Sequence, residues 1–275
     1  MLVNNKMFHK VLIQDGEFEK LKSLIYAKSG IYLKAEKKVL IENRLSKHLK
    51  SIGCKSFNEY YKYISGDLNE MQTMINLVTT NETYFFREIE HFNFLQKEIL
   101  PKQKSHFRVW SAASSIGAEA YSIAMILESS EHIKNNGYDI VGTDINDDVI
   151  KQAQSGLYPI RFTEKIPKTY LRDYCLEGFG KYEGSFLVHD KLKTNTTFQK
   201  MNLIEPLPTT MEHFDVVFLR NVLIYFDSEM KNRIVKNVIS KIKKGGYLFV
   251  GHSESLTNIN NTLRQVKPTI YKKEF

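Results

Sequence analysis

An acid stands near the end of the stretch YDIVGTDIN. Asp144 follows a run of β-forming residues, at the end where doubly wound sheets bind ligands. A carboxylate there can accept both hydroxyls of a ribose, or it can cap the helix that DINDDVI would open. Upstream, RVWSAASSIGAEAYSIAM, residues 108–125, has the outline of a nucleotide-binding strand, turn and helix, with one glycine, Gly117. A pyrophosphate must approach the backbone closely and calls for three glycines at such a turn. A ribose-binding acid beside a glycine-poor turn points instead to S-adenosylmethionine. Its amino-acid end can rest against the first turn and its ribose against the acid of the second strand.

Two further stretches place polar groups where apolar ones would be simpler. FDVVFLRNVLIYFD, 214–227, reads as a buried strand that ends in Arg220 and Asn221, with Tyr225 one turn on. Arg220 either belongs to a pocket or pairs with a surface acid. In TTNETYFFRE, 79–88, the aromatic trio Tyr84, Phe85 and Phe86 reads as helix-packing core, and Glu82 as a capping-box member. Arg87 follows them and is expected to point into the same cleft, where its fork can grip a carboxylate. The eight histidines show no paired-ligand spacing, so no metal is expected. His252-Ser253-Glu254 resembles a triad fragment only superficially, with no nucleophile elbow.

Positioning these groups takes two kinds of segment. Residues 15–78 read as helices, with stripes Phe18–Leu21–Leu24–Ile25 and Ile41–Leu45–Leu49–Ile52 at helical spacing. A further helix is expected from Glu88 to Leu100, stopped by Pro101. Beyond it, strands at 107–112, 138–143, 214–219 and 246–250 alternate with helices near 117–130, 147–155 and 228–243. Such alternation predicts a parallel sheet covered on both faces. Glycines at 178, 180 and 184 and the alternating run up to 201 predict a small inserted antiparallel hairpin unit. The C-terminal TLRQVKPTIYKKEF predicts a last pair of strands at the sheet edge.

The 275 residues, 42% hydrophobic and 25% charged, suit one large globular domain or two smaller ones. Cys54 and Cys175 are far apart and fit a reduced, cytoplasmic setting. MLVNNKMFHKVLIQDG lacks an apolar leader core, and no run approaches the roughly 18 apolar residues of a membrane span. Charge is uneven. Between Lys20 and Lys62 stand eleven Lys and Arg against three acids, an excess equal to the +8 of the whole chain. Arg44, Lys47 and Lys50 lie off the apolar stripe and are expected to face an acidic partner. The basic and aromatic interleave of an RNA-binding surface is missing, so nucleic acid is not expected.

TTNETYFFREIEHF, RVWSAASSIGAEAYSIAM, TDIN, NVLIYF and GGYLFVGHSESL occur in this order. With that order and spacing, the chain resembles the CheR family, the protein-glutamate methyltransferases that modify bacterial chemotaxis receptors. The likeness runs from the N-terminal helices to the last strand. It implies a Rossmann-like class I methyltransferase domain with a small inserted antiparallel β subdomain, preceded by a small all-α domain. The expected bounds are 1–87 for the helical, receptor-facing domain and 88–275 for the methyltransferase domain, with the insert at about 176–201. The implied cofactor is S-adenosylmethionine, leaving as S-adenosylhomocysteine, with contacts at Asn81, Thr83, Arg87, Glu119, Asp144, Asn202, Leu203, Arg220 and Asn221. Tyr225 would lie near the methyl group, and Arg87 and Tyr225 would serve catalysis. One departure stands out: GAEAY at 117–121 replaces the family's usual GEEPY and keeps the glutamate at Glu119.

The implied reaction moves a methyl group to a glutamate carboxylate in the cytoplasmic part of a chemoreceptor. A short peptide at the receptor's C-terminus can tether such an enzyme through the β insert, and a monomer without membrane insertion is expected. Two other readings remain: a non-catalytic receptor-binding module that retains the pocket, and a methyltransferase of another protein.

Overall fold

The computed structural model describes residues 11–259 and 262–274. Residues 1–10, part of the stretch expected to lack a leader, lie outside the described residues. Two compact units divide between Thr80 and Asn81.

In the first unit, α1 (Asp15–Ser29), α2 (Lys38–Ser51), α3 (Phe57–Ile64) and α4 (Leu68–Val78) bury the expected stripes. Leu21, Ile25, Ile41, Leu45 and Leu49 are fully enclosed, as are Phe57 and Tyr60. Ser56 and Asp67 cap α3 and α4 by accepting backbone N–H groups of their first turns. Ile52 departs from its stripe: it lies past the end of α2 and is exposed.

The second unit opens with α5 (Ile89–Phe94), which continues as a π turn over Leu95–Ile99 and a 3-10 turn over Leu100–Lys102. Pro101 therefore does not stop the helix at Leu100; it takes an early position in the last turn, where a missing N–H costs little. Next come β1 (Phe107–Ala112), α6 (Ala118–Ser129), α7 (Glu131–Asn136), β2 (Tyr138–Asp144) and α8 (Asp147–Ser155). Then follow β3 (Leu157–Pro159), α9 (Lys168–Tyr174), β4 (Cys175–Glu177), β5 (Ser185–Val188), α10 (Asp190–Lys193) and β6 (Thr196–Lys200). The chain closes with β7 (Phe214–Leu219), α11 (Ser228–Ser240), β8 (Ile242–Val250), β9 (Leu263–Lys267) and β10 (Ile270–Lys273).

The main sheet has the order β6-β2-β1-β7-β8-β10-β9. Neighbours run parallel from β6 to β8, and β10 and β9 add antiparallel edge strands. Alternate residues serve opposite faces. Val109, Ile140, Val216, Phe218 and Phe249 pack with α5, α6 and α8, while Trp110, Val217, Leu219, Leu248 and Val250 pack with α11.

Two expectations are corrected here. The insert is a separate sheet of order β3-β5-β4, starting at Leu157, whereas Thr196–Lys200 pairs in parallel with β2 in the main sheet. Alternation identifies a strand but not the sheet it joins. The helix expected over 228–243 ends at Ser240, and Ile242 already pairs with Phe214 as the first residue of β8.

Candidate functional site

β1, β2, β6, β7 and β8 point the same way, so the segments that follow them share one sheet edge. The turn after β1 is strained. Ala113 at φ +62° and Ser115 at φ +50° hold left-handed backbone that glycine adopts more easily, ahead of Gly117 at φ +85°. A side chain at Gly117 would meet Ala153 Cβ at 2.8 Å and the Phe198 ring at 2.9 Å, so that position has no room for one. Phe86, Glu88 and Asn221 are left-handed as well, so most of the strained non-glycine residues border this edge.

Asp144 lies at the end of β2 and is buried. It is not the cap of α8; Asn146 takes that role by accepting from the Asp148 and Val149 amides. Asp144 instead accepts from Ser115 N at 2.9 Å and from Asn146 N at 3.0 Å. Burial pushes its carboxyl up, against the pull of these backbone bonds.

Glu119, in the first turn of α6, accepts from Ser111 Oγ at 2.7 Å and from Arg220 Nη1 at 2.9 Å. Arg220, only 6% exposed, also reaches Glu88 Oε2 at 2.9 Å and donates to the Arg87 carbonyl. Its partners are thus half-buried acids of this cluster, not an exposed surface acid. Asn221 donates its backbone N–H to Glu254 at 2.7 Å and its side-chain amide to Glu88 at 3.2 Å.

The other predicted residues flank this cluster. TTNETYFFRE forms no helix through its aromatic trio; residues 81–88 are loop and turn. Phe85 packs edge-on to Tyr158 and Phe86 stacks on Tyr170, while Tyr84 is exposed. Arg87 turns back on its own loop, donating to the Glu82 carbonyl at 2.8 Å with its guanidinium 5.8 Å from the Tyr84 ring centre. The Asn81 carbonyl accepts from Ser115 Oγ at 3.0 Å, and Thr83 lies half-buried two residues on. Beyond β6, Asn202 Oδ1 accepts from Ile204 N at 3.3 Å, and Leu203 is buried. Tyr225 ends the 3-10 turn Leu223–Tyr225, half-buried.

Two residues central to the site are not assigned to it by the sequence: Glu88 reads there as the start of a helix, and Glu254 only as part of the discounted His252-Ser253-Glu254 run. Glu88 accepts from Arg220, Asn221 and the His252 amide; burial would raise its carboxyl, but these partners together hold it at about 2. Glu254 accepts from the amides of Asn221, Leu223 and Gly251, each at 2.7 Å, and so ties the ends of β7 and β8 together. Glu88, His91 and His252 also bring ligand-type atoms within 4.8 Å of one another, a grouping that sequence spacing does not reveal. Its carboxylate already has a cation in Arg220.

On α2, Lys47 and Lys50 are exposed. Arg44 corrects its expectation. Its guanidinium caps α4, donating to the Val78 carbonyl, to the Thr79 carbonyl at 3.0 Å and to Thr80 Oγ1 at 2.8 Å. Carbonyls at a helix C-terminus lack partners and draw cations inward.

The cluster fits a zwitterionic nucleoside ligand: a buried strand-end acid for a ribose, a second acid for an ammonium, and no glycine cradle for a pyrophosphate. Comparison with known proteins agrees. Residues 81–272 match the model of the CheR methyltransferase, SAM binding domain, and residues 16–79 that of the CheR methyltransferase, all-alpha domain. The chain is 38% identical to a chemotaxis protein methyltransferase of Borreliella burgdorferi over 98% of both chains. It is 33% identical to those of Salmonella typhimurium and Escherichia coli, over 97% of this chain and 93% of each relative.

Proposed function

The chain belongs to the CheR methyltransferase family, and on that premise we propose that it methylates glutamate side chains of bacterial chemoreceptors in the cytoplasm, forming methyl esters. The cofactor, S-adenosylmethionine, supplies an electrophilic methyl group on its sulfonium. The residues fit such a group: Asp144 would hold the ribose, Glu119 the ammonium, and Asn202 and Leu203 would stand near the adenine. Asn81, Thr83, Arg220 and Asn221 would complete the pocket.

The observation that carries this reading is the pairing of a buried acid, Asp144, with a half-buried one, Glu119, at the carboxyl edge of the parallel strands of one sheet. The substrate glutamate has an ordinary pKa of about 4.3 and is ionised at neutral pH, so attack needs no general base. The protein's contribution is alignment and exclusion of water, worth about 7–11 kcal/mol in well-oriented reactions. Arg87 would orient the substrate carboxylate without gripping it so tightly that its nucleophilicity falls. Tyr225 would steady the developing geometry near the methyl group. Mass spectrometry of receptor fragments after reaction tests the assignment; methyl groups on residues other than glutamate would refute it.

The all-α unit, with Lys47 and Lys50 on α2, would face the acidic methylation helices of the receptor. The small sheet supports a tether. Edge strand β4 exposes Leu176, and Phe179 beyond it is 88% exposed. A peptide from the receptor's C-terminus would add there as a strand. Phe179→Ser is expected to abolish capture of such a peptide, and an undiminished affinity would contradict the tether.

A further inference from the structure

The Arg220 guanidinium is shared between two carboxylates. Nη1 donates to Glu119 Oε2 and Nη2 lies on Glu88 Oε2, both at 2.9 Å. With both acids ionised, two negative charges face one positive charge in a buried pocket, which leaves one negative charge for a ligand cation to match. The two acids are not equivalent. Glu88 also draws the Asn221 amide and the His252 N–H, and it stays ionised far into the acid range. Glu119 is the one left short of positive charge: burial pushes its carboxyl up, Arg220 and Ser111 oppose this, and the nearby Glu88 charge adds to the rise.

We propose that Glu88 is a positioning residue that keeps one arm of Arg220 for itself, so that Glu119 receives a single guanidinium N–H and the rest of its carboxylate is reserved for the ammonium of the cofactor. The inference rests on the placement of that ammonium at Glu119. Without the Glu88 charge, Arg220 can turn its planar fork onto Glu119 alone, in the bidentate geometry guanidinium and carboxylate favour. The acceptors meant for the ligand would then be taken. Glu88 is suited to the task by its backbone as well. Its left-handed conformation at φ +58°, unusual for this residue type, brings its carboxylate between the ends of β7 and β8.

Calorimetry on the full chain with two ligands separates this role from a structural one. S-adenosylhomocysteine carries the ammonium, and 5′-methylthioadenosine keeps the nucleoside and sulfur but lacks the amino-acid end. Glu88→Gln is expected to weaken S-adenosylhomocysteine about tenfold, the size of one charge-assisted contact. Binding of 5′-methylthioadenosine should stay within about twofold of the parent, and that binding also reports that the variant is folded. Glu88→Asp, which keeps the charge, should recover part of the loss. An equal loss for both ligands, or none for S-adenosylhomocysteine, would overturn the proposal. Glu119→Gln run alongside tells the two readings apart. If it binds S-adenosylhomocysteine like the parent, the ammonium placement itself is wrong and the role of Glu88 goes with it; if it loses affinity while Glu88→Gln does not, only the role of Glu88 fails.

Discussion

Asp144 accepts the Ser115 amide at 2.9 Å, so the acid at the end of β2 holds the strained turn that follows β1. Its other oxygen accepts the Asn146 amide at 3.0 Å. The Ile145 amide also donates to this carboxylate, and of the four acceptor sites its two oxygens offer, these bonds leave one for a ribose hydroxyl. The proposed ribose acid and the backbone strain are therefore parts of one arrangement.

Asp144→Ala is expected to weaken S-adenosylmethionine binding by about 1.5–3 kcal/mol through loss of charge-assisted hydrogen bonds. Asp144→Asn keeps the shape and one acceptor, and should fall between parent and Ala. Calorimetry on folded protein decides; an Ala variant with parental affinity would remove the ribose assignment.

Arg87→Ala should lower both turnover and cofactor affinity, because the guanidinium also fastens its loop to Glu82 and Tyr84. Tyr225→Phe should lower turnover and leave affinity nearly intact. Steady-state rates on receptor, paired with binding data, check this split. Parental turnover in both variants would contradict the assigned roles.

Stability should fall as the solution is acidified, in two stages. Burial first, then the Arg220 charge, holds His91 down at about 3 from its ordinary 6.5, so below pH 6.5 the unfolded chain takes up a proton that the folded chain refuses. Glu88, held at about 2 from 4.5, adds its own loss as pH drops below 4.5. His91→Asn should flatten the slope of Tm between pH 6.5 and 4.5 and leave the lower stage in place. An unchanged slope there would show that His91 is not the group responsible.

The basic face of α2 should act through encounter rather than chemistry. Reversing Lys47 and Lys50 to Glu is expected to slow receptor methylation most at low salt, since screening sets in over a Debye length of about 8 Å at physiological strength. Cofactor affinity should not change. Arg44 is left out because reversing it would uncap α4. Rates equal to the parent at low ionic strength would make the patch an ordinary solvated surface.

Two strands that carry the site are legible because β2 and β7 join buried apolar runs to a polar residue at the end, Asp144 and Arg220, and β1 is legible from its alternation around Val109 and Trp110. β8 was harder. Ile234, Val238 and Ile242 keep helical spacing across the end of α11, so a buried strand start passed for another helical turn. β6 reads as part of the insert because alternation shows which residues share a face but not which strand they pair with. Glu88 stayed hidden for a different reason. Its left-handed backbone has no glycine to announce it, and its partner Arg220 lies far along the chain. Arg44 shows the same limit on the surface: spacing gives its position on α2, but its partners are at the C-terminal end of α4.

Transfer of labelled methyl from S-adenosylmethionine to receptor-containing membranes reads the proposed reaction itself. The expected label is released by mild base as methanol, as a carboxylate ester requires, and is lost when the receptor's methylation glutamates are changed to alanine. Label that survives base, or that persists on the alanine-substituted receptor, would contradict it.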